Sequence, residues 1–162
     1  MEPNFQLEEF FVTRLHLDHR DIKGSEKGKP MQLGYGFDYT VGQHKNEEHR
    51  YRMAFRVLAE EFAENEQPAG LKLDCEIVGF LALNPALDKA EREKLVRLNG
   101  VSILYGILRG IVATMTGTFP NGKLNLPAAL PADVVNQVEE QKRSSRPEAV
   151  KWPKGKSAKT KA

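Results

Sequence analysis

The 162-residue chain holds a single cysteine, Cys75, and a single tryptophan, Trp152. One cysteine excludes an intrachain disulfide and a Cys-based zinc site. It lies on the apolar side of its segment and reads as a small buried hydrophobe. A secretory leader is not expected, because MEPNFQLEEFF has no basic n-region and no small-residue cleavage site. These features point to a cytoplasmic chain. The longest apolar stretch, Val101 to Phe119, is interrupted by Arg109 and holds three glycines. A membrane span needs about 20 continuous apolar residues, so none is expected. Gly106 and Gly110 form a GxxxG pair, read here as a site of close helix packing.

Catalytic signatures are missing as well. No Gly-x-Ser-x-Gly elbow, Walker loop, GxGxxG or HExxH occurs. His16 and His19 cannot share a strand face. His44 and His49 flank a turn but lack a third ligand. Glu47 with Glu48, and Glu60 with Glu61, are neighbours that a strand would point to opposite faces. Neither a metal, a cofactor nor an enzymatic activity is expected.

Strand periodicity, by contrast, is abundant. Apolar residues fall on odd numbers in four segments: Phe5 to Leu17, Leu33 to Val41, Tyr51 to Ala59, and Leu71 to Leu83. The first contains Phe5, Leu7, Phe11, Leu15 and Leu17. Period two with charged residues between predicts half-buried strands in an antiparallel sheet with one wet face. The loops His44–Glu48 and Glu64–Gly70 are too short for parallel crossovers. With a longer Arg20–Pro30 loop, an up-and-down meander is the economical topology.

Helical spacing takes over at Leu87–Leu98, where Asp88 and Glu91 have capping-box spacing. Val101–Thr116 reads as a second, main helix about 24 Å long. It is apolar nearly all round, so a second subunit is expected on the face the sheet leaves bare. Pro127 and Pro131 bracket an irregular segment, and Ala132–Gln141 reads as a last amphipathic helix. Residues 142–162 carry eight Lys/Arg against one Glu, whereas residues 1–141 carry sixteen against twenty-one. The division expected is a folded domain over 1–141 and a basic disordered tail over 142–162.

The run Cys75-Glu76 through the main helix to Gly117-Thr118-Phe119-Pro120 and Leu124-Asn125-Leu126 resembles the bacterial export chaperone family SecB. The order of elements agrees over about residues 5 to 141. The resemblance implies an α+β fold with a four-stranded antiparallel sheet, a long apolar helix, a crossover and a C-terminal helix. It implies an ATP-independent holdase that binds unfolded polypeptide clients in hydrophobic grooves and keeps them competent for export. By position Phe119, Leu124, Leu126, Leu130, Val134 and Val135 would bind clients, with Phe37 and Tyr39 of the second strand. It further implies a homotetramer, with Ile103, Gly106, Ile107, Gly110 and Ile111 at the subunit interface. Docking on the motor SecA would use an acidic sheet surface at Glu76 and Asp74. Here Asp74 stands where the family commonly has an apolar residue, and Arg50, Arg52 and Arg56 share that face. These departures suit a second branch, whose members serve one client such as an antitoxin. A scaffold or nucleic-acid adaptor acting through the basic tail is the alternative from another class.

Overall fold

The computed structural model describes residues 3–20, 29–119 and 123–145. Four strands are followed by two helices: β1 (Phe5–Arg20), β2 (Gln32–Gln43), β3 (Arg50–Phe62), β4 (Pro68–Leu83), α1 (Lys89–Thr116) and α2 (Pro131–Ser144). The fold is α+β, as expected, with every strand pair antiparallel. Both helices pack on one face of the sheet, and α2 sits against α1 and β2. Trp152, Pro120 and residues 146–162 of the expected tail lie outside the described residues.

The topology differs from a meander. The strand order is β1-β4-β3-β2, so β2, β3 and β4 form hairpins in sequence while β1 pairs with β4. This is a Greek-key arrangement. Periodicity assigns each strand its faces but carries no information about which strand it pairs with.

The phase of β1 also differs. Its register slips by one residue between Leu7 and Glu9, and again between Val12 and Arg14. Each slip is a bulge that reverses the facing of the residues after it. Phe10 and Val12 therefore oppose Gly79 and Ile77 on the helix side. Phe11 turns to the far side, against Val78 and the Phe80 ring at 6.3 Å. The odd-number rule fails for Phe11 and holds again at Leu15 and Leu17.

A third difference is that the two expected helices are one. The capping box forms: Asp88 accepts from the Glu91 amide at 2.8 Å, and the Glu91 carboxylate accepts from the Asp88 amide at 3.3 Å. From there α1 runs 28 residues without a break, about 42 Å. The gap expected between Leu98 and Val101 is helical, and Gly100 within it serves packing. A Cβ there would come within 2.7 Å of the Met53 sulfur. The missing side chain lets the helix lie against β3. Gly79 on β4 does the same for Leu104, which an added Cβ would meet at 2.8 Å.

The core lies between the sheet and one stripe of α1. Met53, Phe55, Val57, Leu73, Ile77 and Leu81 meet Val96, Val101, Leu104, Leu108 and Val112, all fully buried. The helix residues recur at intervals of three to five, so a single face is covered. By length and composition α1 could also cross a bilayer, but this stripe is packed on the sheet. Cys75 is part of the core, and burial pushes its thiol up to about 11. The last helix extends to Ser144, so Lys142 and Arg143 belong to α2 and not to an unstructured tail.

Candidate client-binding surface

Residues 123–130 retrace the C-terminal half of α1, and three α1 side chains hold them there. The Thr116 hydroxyl accepts from the Leu124 amide at 2.8 Å and donates to the Val112 carbonyl at 2.7 Å. Arg109 Nε donates to the Leu126 carbonyl at 3.0 Å. The Tyr105 hydroxyl donates to the Pro127 carbonyl at 2.6 Å. Tyr105 is also part of a ring cluster with Phe37 and Phe55, at 5.2 and 5.9 Å. Burial raises its pKa to about 12, so it remains a donor at any ordinary pH. The crossover is thus an extended strip clamped through its backbone, which leaves its side chains to alternate. Leu124 and Leu126 point inward and are buried, while Lys123 and Asn125 are exposed.

The helix that follows, α2, packs on α1 and β2 and shares a buried cluster with Leu124 and Leu126. Only Val134 and Val138 of α2 are fully buried, with Val135 half-buried. Pro131 begins the helix in place of a side-chain cap. Polar ties fix its far end: the Tyr39 hydroxyl donates to Glu139 at 2.6 Å, and the Lys142 ammonium donates to the Tyr39 carbonyl. Lys142 also lies 4.5 Å over the Tyr39 ring and 3.6 Å from Asp38. Burial, then the Glu139 bond, push the Tyr39 pKa up. The same bond, with Arg97, Lys142 and Arg143 nearby, holds the Glu139 carboxyl below its usual range.

Against this geometry the expected open groove needs correction. Phe37, Tyr39, Leu124, Leu126 and Val134 are core residues of the single chain, none more than 6% exposed. Phe119 and Val135 are half-buried, and Leu130 alone is broadly exposed, at 68%. The crossover and α2 cap one another, so apolar pattern alone could not reveal which side chains were covered. The residues sequence reasoning missed are the polar anchors Tyr105, Arg109, Thr116, Glu139 and Lys142. A tyrosine and an arginine inside an otherwise apolar helix were the available signal.

The expected interface residues form the bare side of α1. Gly106 and Gly110 are exposed, and a Cβ on either would meet nothing within 4 Å. Ile103, Ile107 and Ile111 beside them are half-buried. Beyond lie exposed Met115 and, on the helix side of β1, exposed Phe10 and Val12.

Of the acidic pair expected for docking, Asp74 is ion-paired. Asp74 takes two bonds of 2.8 Å from Arg56 and one of 3.4 Å from Arg14. The Arg56 bonds draw its carboxyl below the ordinary range. Glu76 accepts from Thr13 at 2.7 Å. His44 acts within its own turn, with Nδ1 accepting from the amides of Asn46 and Glu47. Among the described residues no three His, Cys, Asp or Glu side chains converge.

No protein-family model and no curated protein matches the sequence. Among solved structures, the chain is similar to the Mycobacterium tuberculosis SecB-like chaperone Rv1957, solved with a ChAD peptide from the HigA1 antitoxin. That likeness has a TM-score of 0.62 at 16% identity and covers 78% of this chain and 91% of the other. A Streptococcus agalactiae protein of unknown function matches at 12% identity and a TM-score of 0.44, over 76% of this chain and 97% of the other. The likeness to Rv1957 shows that the chain has the SecB-like fold.

Proposed function

We propose that this chain is a SecB-like chaperone, an ATP-independent holdase that captures non-native polypeptide through apolar surface. The observation that carries the reading is the fold shared with Rv1957, a SecB-like chaperone solved with a peptide of an antitoxin. The large uncovered side chains support it. Leu130, Met115, Phe10, Phe11 and Tyr35 are each more than 40% exposed, and apolar burial is non-directional enough to suit varied sequences. The buried residues Leu124, Leu126 and Phe37 join the client surface when α2 lifts, since two valines and one latch hold that helix down.

The chain works as a homotetramer, with the Gly106–Gly110 side of α1 buried between subunits. It acts in the cytoplasm, without catalysis. A single dedicated client such as an antitoxin is favoured over general export by one observation. Asp74, half of the expected SecA-docking pair, is tied up by Arg56 and Arg14. The test is dilution of a chemically denatured protein into buffer with and without the chain, followed by light scattering. Suppression of aggregation without nucleotide is expected. Unchanged scattering at a several-fold excess overturns the reading.

A further inference from the structure

The two edges of the sheet are built differently. β1, at one edge, is kinked by two bulges, a common way to keep an edge strand from templating a foreign strand. β2, at the other edge, pairs with β3 from Gln32 to Gln43 without a register shift. Among the described residues no strand lies beyond it. A regular edge of 12 residues is therefore presented outward.

Two bonds fix which backbone groups face outward. The His44 amide donates to the Arg50 carbonyl on β3, so even-numbered residues of β2 face inward to the ladder. The Tyr39 carbonyl accepts from Lys142 of α2, so odd-numbered residues face outward. The outward groups are those of Leu33, Tyr35, Phe37, Tyr39 and Val41. Their chemistry is complementary to one thing above all, the backbone of another extended chain.

The surroundings fit such a strand. A cavity of about 540 Å³ fronts Gly36, Phe37 and Asp38, and α2 supplies Val138, Gln141 and Lys142 to its far wall. On the helix side, exposed Tyr35 and Val41 flank the edge. On the opposite side the β2 positions are Gly34, Gly36, Asp38, Thr40 and Gly42. A Cβ at Gly36 or Gly42 would meet nothing within 4 Å. Behind Gly36, at its paired position on β3, stands Leu58, 43% exposed. Large side chains of an added strand would lie over these glycines and cover Leu58, the way bulky residues shield glycines on strand edges.

We infer that the β2 edge binds an extended polypeptide segment by strand addition, and that Lys142 guards it. The inference rests on the chaperone reading and deepens it. The occupant is a non-native chain with alternating apolar residues: backbone bonds supply sequence-tolerant affinity, and the glycine-lined side prefers bulky residues. Lys142 occupies one outward acceptor, Tyr39 C=O, so full pairing requires the ammonium to leave it. Because Lys142 belongs to α2, strand addition and lifting of α2 are coupled.

The probe is a permanently unfolded polypeptide, reduced and carboxymethylated α-lactalbumin, offered to the full chain. Amide hydrogen exchange should show new protection at Tyr35, Phe37, Tyr39 and Val41. Tyr35→Pro removes one outward N–H and is tolerated on an edge strand. It should weaken capture about tenfold relative to Tyr35→Ala, the worth of one or two hydrogen bonds. Lys142→Met should strengthen capture. Capture without protection at those amides overturns strand addition, and so does equal binding by the folded Pro and Ala variants. Should Tyr35→Pro fail to fold, the exchange pattern of the wild-type chain decides. If the four amides are already protected without probe and lose protection when the chain ends at Ser145, the occupant is the chain's own C-terminal segment. Protection that rises with protein concentration identifies a second copy instead. Either result overturns the inference, and no capture at all overturns the chaperone reading with it.

Discussion

Replacing Gly106 and Gly110 together by alanine separates the stability of the chain from the stability of its assembly. Both glycines lie in mid-helix on the bare side of α1, with nothing within 4 Å of an added methyl. In the lone chain the substitutions cost no packing. They gain helix propensity, about 1 kcal/mol each. For a domain of this size about 2 kcal/mol raises the melting temperature by roughly 4–8 °C. Between two subunits the same methyls meet a partner helix, where overpacking costs about 1–3 kcal/mol. The double variant should therefore melt higher than wild type at concentrations where both are monomeric. It should also assemble less, and its melting temperature should depend less on concentration. Differential scanning calorimetry across a concentration series, with native mass spectrometry of the same samples, reads both effects. A variant that gains stability and remains fully assembled refutes burial of this face. A variant that melts lower as a monomer refutes the open surroundings of the two glycines.

Thr116→Val should cost about 1–3 kcal/mol, since it leaves the buried Leu124 amide without an acceptor, whereas Thr116→Ser keeps the oxygen and should cost less. Urea unfolding of the pair checks this. Leu126→Asp buries a charge and should abolish folding by circular dichroism, while Leu130→Asp should fold normally and capture clients less well. The α2 latch should loosen at both ends of the pH scale. Glu139 is depressed in the fold, so its contribution is complete above its ordinary value of 4.5 and is lost as pH falls through the folded value. Tyr39 is raised, so its contribution is complete below its ordinary value of 10.0 and is lost as pH climbs toward the folded value. Exchange of α2 amides should accelerate at both extremes. Tyr39→Phe should abolish the alkaline dependence and weaken the acid one, which Arg97, Lys142 and Arg143 partly sustain.

Much of the fold was legible in the sequence because period-two patterning survives wherever strands pair without slippage. Tyr51 to Ala59 and Leu71 to Leu83 keep their apolar side chains buried as the alternation requires. β1 was misread at Phe11 because a bulge leaves no mark in composition; it is visible only in the pairing with β4. The break expected at Asn99-Gly100 was misread for a different reason. Glycine ends a helix or lets another element approach it, and the Met53 sulfur that decides between the two belongs to β3, far away along the chain. The β1–β4 pairing was unreadable, since both sheet orders satisfy the same alternation. At the candidate surface, Leu124 and Leu126 were expected to line an open groove and are buried in the single chain. Their burial depends on Thr116, Arg109 and α2 acting together, a tertiary arrangement that no local pattern encodes.

Capture of unfolded chains by an oligomer can be read in one experiment, native mass spectrometry with reduced, carboxymethylated α-lactalbumin. The expected spectrum holds a tetramer that gains the mass of the unfolded chain and ignores folded α-lactalbumin. A monomer, or an oligomer whose mass is unchanged by the unfolded chain, would contradict it.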